Sequence, residues 1–266
     1  MSWRFTILGC GSSGGVPRVG NVWGNCDPTN PKNRRRRCSL LLERRADSGV
    51  TRVLIDTSPD LREQLLDSDV DHLDAVFLTH EHADQTHGID DLRGVVMHMR
   101  RRIPFYLSRS TGHDILVRFG YCFETPPGSD YPPMLDRHGI EAGEQRTVAG
   151  KGGALTLSAF LVQHGKIPSL GYRFGGIAYT PDLNDIPDQS LAALQNLDLW
   201  IVDALRYTPH PSHFSVADAL RWIERLKPRR AILTNLHSDL DYEVLRRELP
   251  ANVIPAFDGM QIPVTL

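Results

Sequence analysis

The run Ala75-Val76-Phe77-Leu78-Thr79, with His80-Glu81-His82-Ala83-Asp84-Gln85-Thr86 directly behind it, constrains this chain more than any other segment. A strand of Val, Phe and Leu is buried and rigid, so side chains at its exit are held in place, and a tight turn can swing alternate ones toward a single point. Two imidazoles and a carboxylate at that exit have a metal-site spacing. Imidazole suits zinc, iron or manganese, and a carboxylate adds charge for a second ion.

Further strands are expected at Phe5 to Gly9, Ser39 to Glu43, Arg52 to Asp56, Leu199 to Val202 and Ala231 to Leu233, each rich in β-branched or large apolar residues. Ser58-Pro59 opens a short helix over Asp60 to Leu66, with a cap residue and a first-turn proline. Other helices are expected near Ile89 to Met99, Thr111 to Phe119, Ser190 to Leu197, Ser215 to Leu226 and Tyr242 to Leu249. No Pro/Ser linker divides the 266 residues, which predicts one domain over 1–266: an α/β chain with two sheets sharing a core and helices outside them.

A formal net charge of -2 gives no global reason to expect nucleic-acid or membrane binding. No stretch reaches the ~18 apolar residues of a spanning helix, and the opening Met1 to Phe5 lacks a secretory leader, so a cytoplasmic location is expected. Cys10, Cys26, Cys38 and Cys122 contain no C-x-x-C pair, so reduced thiols are the expectation.

The segment from Gly11 to Arg37 exceeds the ~15 residues usual for a structureless loop, and such loops are often functional. Its opening Gly11-Ser12-Ser13-Gly14-Gly15-Val16-Pro17 permits close backbone approach to a ligand without being a Walker or dinucleotide fingerprint, and makes Ser12, Ser13 and Gly14 candidate substrate contacts. Arg34 to Arg37 reads either as a solvated charge run or as an anion-binding patch at the site mouth, with Arg36 the candidate contact.

Three distant segments place single candidate ligands at strand exits: His164 in Val162-Gln163-His164-Gly165, Asp182 in Tyr179-Thr180-Pro181-Asp182, and His237 in Leu236-His237-Ser238-Asp239. With these residues assembled, the chain resembles the metallo-β-lactamase superfamily, through Leu8 to Pro17, Ile55 to Arg62 and Leu78 to Arg93. Within it, His87 to Arg93 and Arg206 to Phe214 are similar to the branch containing phosphoribosyl cyclic phosphate phosphodiesterase, which is related to tRNA 3′-processing RNase Z. The resemblance implies a four-layer αβ/βα sandwich with the metal site between the sheet edges.

Carried over residue by residue, the resemblance implies that His80, His82 and His164 hold one metal, that Asp84 and His237 hold a second, and that Asp182 bridges them. The implied cofactors are two divalent ions, zinc or manganese, and the implied nucleophile a metal-bound hydroxide. His213 is placed to contact phosphate or protonate the leaving alkoxide, its alternative being a neighbour of the cap at Ser215. Asp56 is expected to orient a ligand rather than act as one, and His87 either to do the same or to substitute weakly as a ligand. Gln85 departs from the superfamily's H-x-H-x-D-H, and because an amide oxygen is a poorer ligand than imidazole, the second site is expected to bind weakly. Thr234-Asn235-Leu236-His237 departs from T-H-x-x-H, and no cysteine-rich zinc loop is expected between Cys26 and Cys38.

The expected activity is a metal-dependent phosphodiesterase on a small cyclic phosphate, phosphoribosyl or nucleotide, with a small phosphorylated molecule as partner. Alternatives are tRNA 3′ processing, which the lack of an evident basic arm disfavours, thioester or lactam hydrolysis, and a non-catalytic metal- or nucleotide-binding module.

Overall fold

The computed structural model describes residues 2–264. Its strands form two seven-stranded sheets. In spatial order the first contains Met260–Val264 (β14), Ser2–Gly9 (β1), Ser39–Ala46 (β2), Gly49–Ile55 (β3), Ala75–Phe77 (β4), Ile103–Leu107 (β5) and Leu135–Gly139 (β6). The second contains Val253–Pro255 (β13), Arg230–Thr234 (β12), Leu199–Asp203 (β11), Ile177–Thr180 (β10), Ile167–Phe174 (β9), Leu155–His164 (β8) and Gln145–Val148 (β7).

Why the runs around Phe77 carry no polar alternation follows from what covers them. In β3 and β4, paired parallel with Val53 opposite Ala75 and Ile55 opposite Phe77, alternate side chains enter different cores. Val53, Ile55, Ala75 and Phe77 face the core between the sheets, whereas Leu54 and Val76 join an outer core. Both faces are dry over Val53 to Ile55 and Ala75 to Phe77, so every position there is apolar. Phe77 stacks on Tyr106 at 4.4 Å and meets Tyr172 of the opposite sheet edge-on at 5.5 Å, each pair adding about 0.5–1.5 kcal/mol beyond burial. The Tyr172 hydroxyl donates to Leu78 O at 2.6 Å, tying the second sheet to the strand exit that carries His80.

Helices cover the outer faces. Leu61–Asp67 (α1), Leu92–Met99 (α3) and Arg109–Phe119 (α4) supply Leu61, Leu65, Leu92, Val95 and Ile115 to the outer core of the first sheet. Ala83–Thr86 (α2) is a single turn at the exit of β4. Val216–Leu226 (α5) and Tyr242–Glu248 (α6) cover the second sheet. In α5 the buried residues Val216, Ala219, Trp222, Ile223 and Leu226 follow a helical stripe, and Ser215 and Asp218 form a reciprocal capping box. The result is the expected four-layer αβ/βα sandwich.

Two expected helices change character. The segment near Ser190 forms a 3₁₀ helix, Asp188–Leu194, and the helix from Ile89 starts with a 3₁₀ turn, Ile89–Asp91, before α3 begins at Leu92. The loop from Gly11 to Arg37 holds only one short 3₁₀ turn, Pro31–Asn33, but it is pinned along its length. At Gly9 a Cβ would lie 2.0 Å from Arg37 O, so only glycine lets the loop return this closely. All four cysteines are buried and unpaired. Among the described residues no helix is long and apolar enough to cross a membrane.

Candidate metal centre

The site lies where the exits of β3 and β4 in one sheet meet the ends of β8, β10, β11 and β12 in the other. His80 follows β4, His164 ends β8, Asp182 follows β10, Asp203 ends β11, and Asn235 follows β12. Asp56 and Asn235 both sit in the left-handed region, at φ 65° and 61°, immediately after a strand. Asp and Asn tolerate that conformation better than other non-glycine residues.

His80, His82 and His164 converge, with ring centroids 4.7–4.9 Å apart. One nitrogen from each lies within 4.8 Å of the others. The hydrogen bonds at the rear of the His80 and His164 rings decide which of their nitrogens carry lone pairs. His164 Nδ1 lies 2.7 Å from Ser212 O, an acceptor, so it must carry the proton and Nε2 the lone pair. That Nε2 is 3.1 Å from His82 Nδ1. His80 Nδ1 lies 3.0 Å from Thr79 Oγ1, whose hydroxyl also lies 3.0 and 3.1 Å from the two oxygens of Asp56, while Thr79 N–H donates to Asp56 at 2.8 Å. With the hydroxyl proton given to the carboxylate, Thr79 accepts from His80 Nδ1, and His80 Nε2 faces the cluster as a lone pair. It is buried and has no hydrogen-bond partner.

His80 and His164 thus turn lone pairs to one point, and His82, its Nδ1 3.1 Å from His164 Nε2, completes a three-nitrogen set that a divalent cation satisfies when His82 also offers a lone pair. Burial reinforces it: desolvation, with the other imidazoles, holds His80 well below the ordinary histidine range, and burial with nearby His213 lowers His164 to about 3. Both rings are neutral at pH 7. Asp56 is fully buried, and desolvation pushes it up to about 8 against the pull of the Thr79 N–H and O–H.

Beside the imidazoles stands a second group, His164, Asp182 and His213. Asp182 is 1% exposed, and burial raises it well above the carboxylate range. His213 Nδ1 lies 2.8 Å from Oδ2 of Asp203, the last residue of β11, and 3.5 Å from Asp182. Burial alone would lower His213, but the Asp203 carboxylate outweighs it and lifts the imidazole to about 9. His213 thus stands on an acidic partner beside Asp182, two residues ahead of the cap at Ser215.

Several expected residues lie elsewhere. His237 does not join the Asp182 group: its Nδ1 is 2.7 Å from Asp239 and its Nε2 contacts Arg18. Asn235, two residues earlier, takes the position beside Asp182, because the left-handed turn at residue 235 aims that side chain inward. Arg36 is bound away from the site by Asp67 at 2.8 Å and Asp258 at 3.2 Å, Arg37 by Asp60 at 2.8 Å, and Arg35 is buried on Leu240 O and His237 O. Arg35, Arg36 and Arg37 are thus a structural clamp while Arg34 is exposed, and the cation on the imidazole of His237 is Arg18. Asp84 stands half-buried on α2, outside both groups. His87 is exposed, its ring 5.7 Å from Phe119. Ser12 is buried beside Leu236 with an unpartnered hydroxyl, Ser13 is exposed, and Gly14 lies against the Arg18 side chain. Gln85 is fully buried, its amide donating to Asp182 at 2.8 Å. Asp203 was not anticipated, although Leu199 to Val202 ending in an acid is the same signal as Tyr179-Thr180-Pro181-Asp182.

A family profile described as the Beta-lactamase superfamily domain matches residues 51–235, more than half the chain and every ligand candidate from Asp56 to Asn235. The chain belongs to the metallo-β-lactamase superfamily. A solved diphosphatase from the PhnP family is 33% identical, covers 99% of this chain and 98% of its own, and superposes with a TM-score of 0.86. An octanoyltransferase of Porphyromonas gingivalis (strain ATCC BAA-308 / W83) is 35% identical over 97% of this chain, which spans only 51% of that protein's length. The short form of human tRNase Z shares 18% identity, with 99% of this chain and 100% of that one covered and a TM-score of 0.65, a likeness of fold. The family and the converged imidazoles both fit a divalent-metal centre.

Proposed function

We propose that this chain hydrolyses a phosphoric diester or diphosphate linkage in a small phosphorylated molecule, with His80, His82 and His164 holding the catalytic divalent ion and Asp182 beside it. The observation that carries the reading is the His213–Asp203 pair set against the imidazole cluster, with the His213 ring 4.6 Å from His164. When bound, the ion would lower the pKa of a water and neutralise charge on phosphate oxygens.

The chain's own residues supply the rest. Asp203 holds the His213 Nδ1–H, leaving Nε2–H as the outward donor of a protonated imidazole. That proton can pass to the leaving oxygen, a role worth ~10²–10⁴ in rate where the leaving group is a poor one. The second reading of the same geometry, anion contact without proton transfer, is separated from it by leaving-group dependence. Arg18 borders the site through its contact with His237, and Ser12 offers an unused hydroxyl next to Leu236. Asp56, through Thr79, keeps the His80 lone pair pointed at the cluster.

The diphosphatase covers nearly the full length of both chains, and this supports phosphate chemistry. The octanoyltransferase name belongs to a protein about twice as long, which makes octanoyl thioester the right competing substrate. The test is turnover by metal-loaded protein of bis(p-nitrophenyl) phosphate, 2′,3′-cyclic nucleotides, phosphoribosyl 1,2-cyclic phosphate, dinucleoside diphosphates, an octanoyl thioester and precursor tRNA. Metal-dependent cleavage of one of the small phosphate substrates is expected. Turnover of only the thioester or only the tRNA, or of none, would overturn the proposal.

A further inference from the structure

Asp182 is the residue on which a second ion would depend, and both of its oxygens are already engaged. Gln85 Nε2 donates to Oδ2 at 2.8 Å and Asn235 Nδ2 donates to Oδ1 at 3.0 Å. Gln85 is fully buried and Asn235 1% exposed, so neither amide has solvent to turn toward. A primary amide has a donor end and an acceptor end, and an amide that turns its NH₂ to a carboxylate presents protons, not lone pairs, in that direction. Reversing either one would set an amide oxygen against a carboxylate oxygen and forfeit a hydrogen bond to a buried acid.

The imidazoles that could complete a second site are also committed, which leaves it only the Asp84 carboxylate, half-buried on α2, and the Gln85 amide oxygen, which points away from the donor end held by Asp182. His164 belongs to both groups of candidate ligands, but its Nδ1–H is held by Ser212 O, so it has one lone pair, on Nε2. One lone pair serves one ion. His213 gives Nδ1 to Asp203, and His237 lies between Asp239 and Arg18.

We propose that this centre takes a single divalent ion on His80, His82 and His164, and that the amides of Gln85 and Asn235 occupy, as hydrogen-bond donors to Asp182, the place of a second ion. Two neutral donors and the His213 imidazole thus do for Asp182 what a cation would otherwise do. The inference concerns ion number and rests on the proposed role of the imidazoles as ligands, but not on the substrate.

The test is stoichiometry, read by native mass spectrometry and elemental analysis on protein equilibrated with excess zinc and then desalted, with no activity measurement. Wild type is expected to retain one ion per chain, and His164→Ala none. Gln85→His/Asn235→His, which turns both donors into lone-pair ligands, is expected to rise to two. Should that variant not fold, Asn235→Asp, nearly isosteric, is measured the same way and is expected to gain the second ion. Wild type retaining two ions, or a folded double variant remaining at one, would overturn the proposal. A wild type that retains no ion would instead overturn the metal-centre reading itself, so the two failures are distinguishable. Absence of phosphate turnover with one ion bound would count only against the substrate assignment.

Discussion

Thr79→Val removes one hydroxyl and little else, and it isolates how a buried acid two residues removed from solvent chemistry controls a ligand. The hydroxyl links Asp56, at 3.0 and 3.1 Å, to His80 Nδ1 at 3.0 Å, and Thr79 is 1% exposed. Valine matches threonine in shape, so no cavity opens, but a methyl then sits against a fully buried carboxylate. Asp56 keeps only the Thr79 N–H, and His80 Nδ1 keeps only Ser169 Oγ, at 3.5 Å. Leaving a buried polar atom without its hydrogen bond costs about 1–3 kcal/mol. Losing the group that orients a metal-bound histidine typically costs about 10–100-fold in affinity, or about 1.4–2.8 kcal/mol at ~1.4 kcal/mol per decade.

Two measurements separate these effects. Guanidinium unfolding of chelator-treated protein is expected to show a loss within the first range, and competition against a chromogenic zinc chelator a weakening within the second. Thr79→Ser keeps the hydroxyl and is expected to restore the affinity. A valine variant that binds zinc within twofold of wild type would refute the chain Asp56 to Thr79 to His80 as the device that aims the lone pair, whatever happened to stability.

Asp203→Asn should leave zinc retention unchanged while cutting kcat by ~10²-fold or more on a substrate with an alkoxide or phosphate leaving group, and far less on bis(p-nitrophenyl) phosphate, whose phenolate leaves without a proton. A uniform loss across both would make Asp203 merely structural. Glu43, 1% exposed, is held below the ordinary carboxylate range: burial raises it, but Arg52 and Arg4 outweigh that, with Arg45 adding to their pull. Because its folded pKa lies below the unfolded one, its stabilisation is present above about pH 4.3 and is lost as pH falls through the folded value. Glu43→Gln is therefore expected to cost about 1–3 kcal/mol at pH 7, with the gap from wild type closing in acid unfolding titrations. Arg35→Lys keeps the charge but cannot reproduce the fork that reaches Leu240 O at 2.7 Å, Asn33 Oδ1 and His237 O at 3.2 Å; limited proteolysis between Gly11 and Arg37 should quicken, and an unchanged rate would mean the clamp is redundant.

What the sequence made legible and what it hid divide along a physical line. The strand before His80, and the exits carrying His164 and Asp182, could be read because burial on both faces leaves a continuous apolar run, and the first polar residue after it has only the sheet edge to occupy. Arg36 could not be placed, since its partners Asp67 and Asp258 are 31 and 222 residues away and a charge run carries no mark of which acids will meet it. Asn235 and His237 show the subtler failure. Residue type favoured the imidazole, but the backbone decides, and a φ of 61° at Asn235 turns the amide to Asp182 while His237 is left to Asp239. The same bias toward imidazoles passed over Asp203, which ends its strand as plainly as any ligand does. Gln85 could be recognised as a departure from the superfamily pattern, but its meaning required the second amide: one neutral donor on a buried carboxylate weakens a metal site, whereas two, one on each oxygen, replace it.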